Sequence, residues 1–225
     1  MLLQGELLDD LSDPACCLLP QSEWPLTTPL SKVHADDDEW YMLVKAGYER
    51  SMFAEVDEAD IFRNQHGEMV LAGAMGVDKL KETPEGEIVE LLRFISILCP
   101  QNAYFRKLRG DSGCLPYLGQ LSLALVGPEE QQVVDAEDME SCFNTYLMGK
   151  KWPGYFTFAK QVSQQALGGD PNTLVWVGLT TIPMGWKCAV DVAQSLLRRL
   201  VFGVVGVPLE TELRKDRPLP EGDIC

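Results

Sequence analysis

Two short apolar segments, residues 70–77 and 91–98, flank a charged segment that contains a proline and a glycine. This pattern constrains the fold more than any other, because strand-like runs joined by a polar segment are typical of a β-hairpin. We expect two antiparallel strands with residues 78–87 as the connecting tip. Arg93 is embedded in the second of these strands.

Strand-like and helix-like patterns alternate further along the chain. Residues 155–158 alternate in character and residues 173–180 are apolar and rich in β-forming side chains, so both are predicted strands. The glycines and proline of residues 168–172 predict a turn between them. Residues 189–202 place apolar side chains at helical spacing. The expectation is an α+β fold with an antiparallel sheet and packed helices.

The charge of the chain is concentrated in its first part. The formal net charge is −15, and residues 1–89 contain 19 acidic against 6 basic side chains, whereas residues 90–217 contain 13 of each. Contacts to phosphate require Lys and Arg, so the neutral part of the chain predicts weak nucleic-acid binding at best. We interpret residues 1–69 as an acidic and partly disordered N-terminal segment.

The cysteines and the first residues of the chain bear on the cellular compartment. Seven cysteines occur without a CxxC spacing and there are only two histidines, so a structural zinc site is not expected. Scattered cysteines indicate reduced, mostly buried thiols. We find no basic start of a secretory signal and no apolar run as long as a membrane span. The expectation is a soluble intracellular protein without a membrane partner, in the nucleus or the cytoplasm.

A short string precedes the predicted helix: residues 182–187 read Ile-Pro-Met-Gly-Trp-Lys. This string resembles the retroviral-type motif LPQGWKxSPxxFQ of reverse transcriptases. Met184 stands where the family has a glutamine that contacts the sugar, and residues 189–190 stand where it has Ser-Pro. Five positions match the motif, namely Pro183, Gly185, Trp186, Lys187 and Gln194.

Two earlier segments match the same family in the same order. Residues 93–102 run from Arg93 through an apolar stretch to Asn102. They resemble the fingers strand of this family, whose sequence is usually close to RLVVDYRKLN. Asp138, followed five residues later by Phe143, resembles the first catalytic motif. On the residues alone, other acids of the same cluster stay open as alternatives to this aspartate: Asp135, Glu137 and Glu140.

The resemblance implies that residues 70–203 form part of the fingers and palm of a right-hand polymerase. It implies that Asp138 is the catalytic metal ligand, with the carbonyl of Met139 nearby. Two Mg²⁺ ions would stabilise the attacking 3′-hydroxyl and the leaving pyrophosphate, and Mg²⁺ prefers carboxylate oxygen. Phe143 would lie beneath the incoming sugar and exclude a 2′-hydroxyl.

The same resemblance assigns the nucleotide-binding residues. Arg93 would lie against the nucleotide and donate to its phosphates. Either Lys79 or Lys81 at the hairpin tip would reach the triphosphate, and the sequence does not choose between them. Met184 and Gly185 would contact the nucleotide, since a glycine lets the backbone approach closely. The implied partners are an RNA or DNA primer–template and a deoxynucleoside triphosphate, with Mg²⁺ as cofactor.

One part of the family pattern is missing. A working enzyme of this family carries a YxDD-type aspartate pair after the motif-containing helix, and no Asp-Asp pair follows Phe202 here. We expect residues 204–225 to be a C-terminal loop truncated before that motif, and the chain to be an incomplete or inactive RNA-directed DNA polymerase fragment. The alternative is a non-catalytic remnant that binds nucleic acid or a protein, with a protein partner covering an incomplete sheet edge.

Overall fold

The computed structural model describes residues 6–83, 86–117, 119–120, 129, 133, 139 and 141–220. The α-helices in these ranges are α1 (Glu6–Ser12), α2 (Asp37–Glu49), α3 (Cys99–Asn102), α4 (Trp152–Tyr155) and α5 (Ala189–Arg198). The strands are β1 (Phe53–Val56), β2 (Gly73–Glu82), β3 (Ile88–Ile97), β4 (Val162–Ser163) and β5 (Leu174–Leu179). Pairings between these strands are antiparallel, which confirms the predicted α+β class.

Short 3₁₀ segments connect these elements. They cover Pro14–Cys17, Gln21–Glu23, Glu58–Asp60, Asp111–Cys114, Cys142–Thr145, Gln164–Leu167 and Leu209–Thr211.

β2 and β3 form the predicted hairpin, paired from Gly73 with Ile97 to Glu82 with Ile88. The predicted tip at residues 78–87 is too long, because β2 continues through its charged side chains to Glu82 and β3 begins at Ile88. The outer half of the hairpin is largely exposed on both faces. Charged side chains therefore stay hydrated within a strand there, and the polar pattern does not end it.

β1, β5 and β4 form a second sheet in that order, with β5 in the centre. β5 confirms the strand predicted at residues 173–180. The turn predicted at residues 168–172 is also present, and Gly168 ends the preceding 3₁₀ segment with a φ of 86°. Such a backbone conformation is readily adopted by glycine and rarely by other residues.

α2 packs on this sheet through an apolar side that includes Trp40 and Val44, both buried and one turn apart. The ring of Trp40 meets Phe158 edge-on, with 5.4 Å between the ring centroids. Phe53 of β1 lies 5.8 Å from Phe94 of β3 by the same measure. The inner end of the hairpin and the second sheet therefore share one aromatic core.

The strand predicted at residues 155–158 is wrong. Tyr155 ends α4, and Thr157 and Phe158 form only isolated bridges to neighbouring segments. Proline is well accommodated in the first turn of a helix, so Pro153 favours α4 at this place. The Thr157 hydroxyl then donates to the Pro153 carbonyl at 2.9 Å and holds the chain against the end of that helix.

The chain divides into two compact units. The first comprises Met1–Leu8, Leu108–Cys142 and Val190–Cys225, and the second comprises Asp9–Lys107 and Phe143–Ala189. Both sheets lie in the second unit. In the first, the Arg198 guanidinium of α5 donates to Glu212 at 2.5 Å and to Asp111 at 2.7 Å. The hydrogen bond to Glu212 is the main cause of a raised pKa at Arg198.

The helix predicted at residues 189–202 is confirmed as α5, which continues as a π-helical segment, Arg199–Val205. The predicted segments 1–69, 70–203 and 204–225 do not coincide with the two units, and that division stays a prediction. The part of residues 1–69 that is described contains α1, α2 and β1. Among the described helices, none combines the length and apolar character needed to cross a membrane.

Candidate functional site

Residues 183–187 form a turn that leads from the sheet region into α5. The Trp186 amide donates to the Pro183 carbonyl at 3.1 Å and closes the turn. Gly185 has a φ of 97°, and a Cβ there would lie 3.4 Å from the Ser96 carbonyl oxygen. Because other residues rarely adopt this backbone conformation, the turn requires glycine at this position. Met184 beside it is 46% exposed, so its side chain is open to solvent.

Trp186 anchors the turn to the core. Its side chain is buried, and its ring meets Trp152, Phe105 and Phe156 edge-on at centroid distances of 5.2, 5.5 and 5.7 Å. Aromatic pairs in this geometry add to the stability that burial provides. The tryptophan therefore fixes the turn from inside while Met184 and Gly185 remain at the surface.

Residues 93–102 form hydrogen bonds directly to this turn. The Ser96 hydroxyl donates to the Met184 carbonyl at 2.7 Å, and the Asn102 side-chain amide donates to the Gly185 carbonyl at 2.9 Å. The Asn102 side-chain oxygen accepts from the Lys187 amide at 2.9 Å, and the Lys187 ammonium donates to the Asn102 carbonyl at 3.0 Å. Four hydrogen bonds therefore join residues 96–102 to the 183–187 turn, although the two segments lie more than 80 residues apart in sequence.

The hairpin brings three predicted nucleotide-binding residues onto one face. Side chains alternate between faces along a strand, and directly paired residues share a face. Arg93 pairs with Val77, Lys79 with Leu91 and Lys81 with Val89, so all three bases lie on the same side. We call this side, defined by those three pairs, the basic face. Arg93 and Lys79 form no ion pair with residues that the structure describes.

The predicted catalytic motif is only partly covered. Asp138 lies outside the described residues, and the alternatives Asp135, Glu137 and Glu140 do as well. Met139 is 41% exposed, and Phe143 is half-buried in the 3₁₀ segment Cys142–Thr145.

The chain just after Phe143 pairs with the chain just before the turn. The Ile182 amide donates to the Tyr146 carbonyl at 3.1 Å, and the Met148 amide donates to the Thr180 carbonyl at 2.8 Å. These hydrogen bonds join the segment that follows Phe143 to residues 180–182, which lead into the 183–187 turn.

The predicted Mg²⁺ site rests on Asp138 and thus lies outside the described part of the chain. Within the part that is described, no group of three or more His, Cys, Asp or Glu side chains could hold a metal ion. A comparison with protein-family models and a search of the curated proteins both find no match for this chain.

Ser96 contributes to the site and is not among the residues predicted from the sequence. It is buried in an otherwise apolar part of β3. The sequence feature that points to Ser96 is its hydroxyl within the apolar residues 91–98, because a buried polar group needs a hydrogen-bond partner. The identity of that partner, the Met184 carbonyl, depends on a pairing across 88 residues of sequence.

Proposed function

We propose that this chain is a reverse transcriptase-like domain of the RNA-directed DNA polymerase lineage, in which the basic face and the 183–187 turn bind a nucleotide and a primer–template. One observation carries the proposal: Asn102, at the end of the fingers-like segment, hydrogen-bonds to both Gly185 and Lys187. Two motifs that are far apart in sequence and resemble one family thus meet through their matching residues.

In this proposal, residues 70–203 are partial fingers and palm of a right-hand polymerase. Arg93 donates to the triphosphate, because a guanidinium presents paired donors to phosphate oxygens. Lys79 and Lys81, on the same face, supply further positive charge. The exposed Met184 and Gly185 offer a surface against which the nucleotide packs, without a Cβ at the glycine to hold it away.

The proposed chemistry is addition of a deoxynucleotide to a primer 3′-end. Asp138 and the Met139 carbonyl are hard oxygen donors of the type that Mg²⁺ prefers, so these residue types fit the ion. When bound, Mg²⁺ would stabilise charge on the attacking and leaving oxygens. Phe143 would select deoxyribose by excluding a 2′-hydroxyl. By the resemblance, catalysis also needs a YxDD-type aspartate pair, which residues 203–225 do not contain.

The second candidate is a non-catalytic module that binds nucleic acid through the same face. The placement of Arg93, Lys79 and Lys81 on one face supports it, since binding to phosphates through these residues needs no catalytic carboxylate. The two candidates share a binding surface and differ in whether synthesis occurs.

Titration with a fluorescent deoxynucleoside triphosphate in the presence of Mg²⁺ and a primer–template tests the proposal. We expect Arg93→Ala to weaken nucleotide binding at least about tenfold, because one charge-assisted hydrogen bond contributes about 1.5–3 kcal/mol. The matched control is Lys45→Ala, which removes an exposed positive charge from α2 outside the hairpin.

The Lys45→Ala protein should bind within about twofold of the wild type, since surface charges away from the site contribute little. Equal losses in the two variants, or no nucleotide binding by the wild type, would count against the proposal. Primer extension by the same preparation separates the two candidates: synthesis by the chain would exclude the non-catalytic module.

A further inference from the structure

The hairpin carries a second face whose chemistry is opposite to that of the basic face. Three consecutive pairs on this side each join one acid to one apolar residue: Asp78 with Leu92, Glu90 with Leu80, and Glu82 with Ile88. We call these six residues the acidic face. Its apolar members are strongly exposed, Leu92 at 67%, Leu80 at 69% and Ile88 at 71%.

The acidic face continues into a groove beside α2. A cavity of about 490 Å³ lies there, lined by Met42, Leu43 and Glu39 of α2 and by Leu92 and Phe94 of the hairpin. Met42 is 62% exposed, and Leu92 belongs both to the groove and to the acidic face. The groove and the face therefore form one continuous surface of apolar side chains flanked by carboxylates.

The charge of this surface decides which class of partner fits. Asp78, Glu82 and Glu90 form no ion pair with the described residues, and Glu39 adds a carboxylate at the groove. A phosphate backbone would be repelled by these acids. A partner with apolar side chains flanked by Lys or Arg would match both the leucines and the carboxylates.

We propose that the acidic face and its groove dock a basic amphipathic helix of a partner protein. The dimensions agree with this occupant. From Ile88 to Phe94 the surface extends along seven residues of β3, which are six steps of roughly 3.3 Å or about 20 Å. An α-helix of 14 residues is about 21 Å long. An apolar stripe laid into a groove is a common mode of helix recognition.

This inference does not rest on the proposed function, because the acidic and basic faces point to opposite sides of the hairpin. A protein partner on one side would leave Arg93, Lys79 and Lys81 accessible on the other. The hairpin would then separate a protein-binding side from a phosphate-binding side.

Fluorescence anisotropy with a labelled 14-residue leucine–lysine peptide tests the docking site. The probe places its leucines at helical spacing, and two control peptides carry glutamates in place of the lysines or the same composition in alternating order. We expect the probe to bind and the control peptides to bind at least about tenfold more weakly, because they lose the charge match or the helical stripe.

Two variants locate the binding on the protein. Leu80→Ser should weaken binding of the probe roughly tenfold through lost apolar contact, and Glu90→Gln roughly two- to fivefold through lost charge. The controls are Leu174→Ser, which removes a 63% exposed leucine from β5, and Glu49→Gln at the end of α2. Circular dichroism verifies that each variant is folded. If the Leu80→Ser protein does not fold, Glu90→Gln still tests the site.

Weaker binding in the two face variants, with the two control variants at the wild-type affinity, supports the proposal. Equal effects in all four variants, or no preference for the lysine peptide over the glutamate peptide, would overturn it. It would also be overturned if sedimentation showed a dimer of this chain that Leu80→Ser dissociates, or if Leu80→Ser weakened oligonucleotide binding instead.

Discussion

At the scale of single residues, the site depends on polar groups that hold one backbone segment against another. Ser96 and Asn102 direct their side chains to carbonyl and amide groups of the 183–187 turn. Turn carbonyls and amides at a surface otherwise bond to water, so each of these bonds contributes only about 0.5–1.5 kcal/mol net. The turn is thereby set in one position relative to β3, with Gly185 against the Ser96 backbone.

Replacing Asn102 by alanine should loosen this turn. The variant loses two hydrogen bonds, to the Gly185 carbonyl and the Lys187 amide, and we expect the free energy of unfolding to fall by about 1–2 kcal/mol. Asn172→Ala is the control, since the Asn172 side chain makes only a local 3.3 Å bond within the turn at Asp170. Urea denaturation measures the free energy of unfolding of both variants. Similar decreases in the two would show that the Asn102 hydrogen bonds do not stabilise the turn.

Buried and exposed thiols should differ in reactivity. The prediction that the cysteines are mostly buried holds for Cys17 and Cys188 and is wrong for Cys16 and Cys99, which are exposed. Burial, and secondly the charge of Asp10, raises the pKa of Cys17 to about 12.

A thiol with a raised pKa stays protonated below that pH, and only the thiolate is nucleophilic. At pH 8 we expect iodoacetamide to alkylate Cys17 at least about 100-fold more slowly than Cys16. Peptide mapping by mass spectrometry distinguishes the two, and urea should abolish the difference. Equal rates in the native protein would show that Cys17 is not buried.

At the scale of secondary-structure elements, the sequence correctly predicts those elements that bury one face. The hairpin, β5 and α5 were predicted because apolar periodicity reports burial. The predicted length of the hairpin tip and the strand predicted at residues 155–158 are wrong, and each error has a physical reason. Charged side chains remain in β2 because both faces are exposed there, and the bond from Thr157 to Pro153 holds the chain against α4. The contacts of Ser96 and Asn102 join distant segments, which no local pattern encodes.

The beginning of α2 offers a test at this scale. The Asp36 side chain accepts from the Glu39 amide at 2.8 Å, and Glu39 accepts from the Asp36 amide at 3.0 Å, which is a capping box. We expect Asp36→Ala to lower the free energy of unfolding by about 1 kcal/mol, the usual cost of losing such a cap.

Asp38→Ala is the matched control for this cap. It removes an acid from the same first turn without removing the cap, so its effect should be a few tenths of a kcal/mol. If urea denaturation gives the two variants the same stability, the capping box does not determine where α2 begins.

At the scale of the whole molecule, the distribution of charge matters more than its sum. A chain with a net charge of −15 repels nucleic acid overall, yet the hairpin separates its bases from its acids by strand alternation. In the sequence, acids and bases lie close together at Asp78, Lys79, Lys81 and Glu82. Their separation into two faces follows from the strand register, which places Arg93 on the side of the lysines and Glu90 on the side of the acids.

The salt dependence of oligonucleotide binding tests this separation of charge. If the basic face contributes two or three phosphate contacts, a fourfold rise in salt should lower the affinity roughly 10- to 40-fold. Lys79→Ala should reduce the slope of the logarithmic plot by about one. Binding that is insensitive to salt, or a slope unchanged by the substitution, would place the contacts elsewhere.

Hydrogen–deuterium exchange followed by mass spectrometry tests whether the hairpin and the 183–187 turn bind a nucleotide and a primer–template. The chain is compared with and without a primer–template, a deoxynucleoside triphosphate and Mg²⁺. We predict slower exchange on ligand binding in Ile88–Ile97 and in residues 183–187, with residues 164–172 unchanged. Slower exchange confined to regions outside the hairpin and the turn, or no change at any peptide, would contradict the assignment of this surface to nucleotide and primer–template.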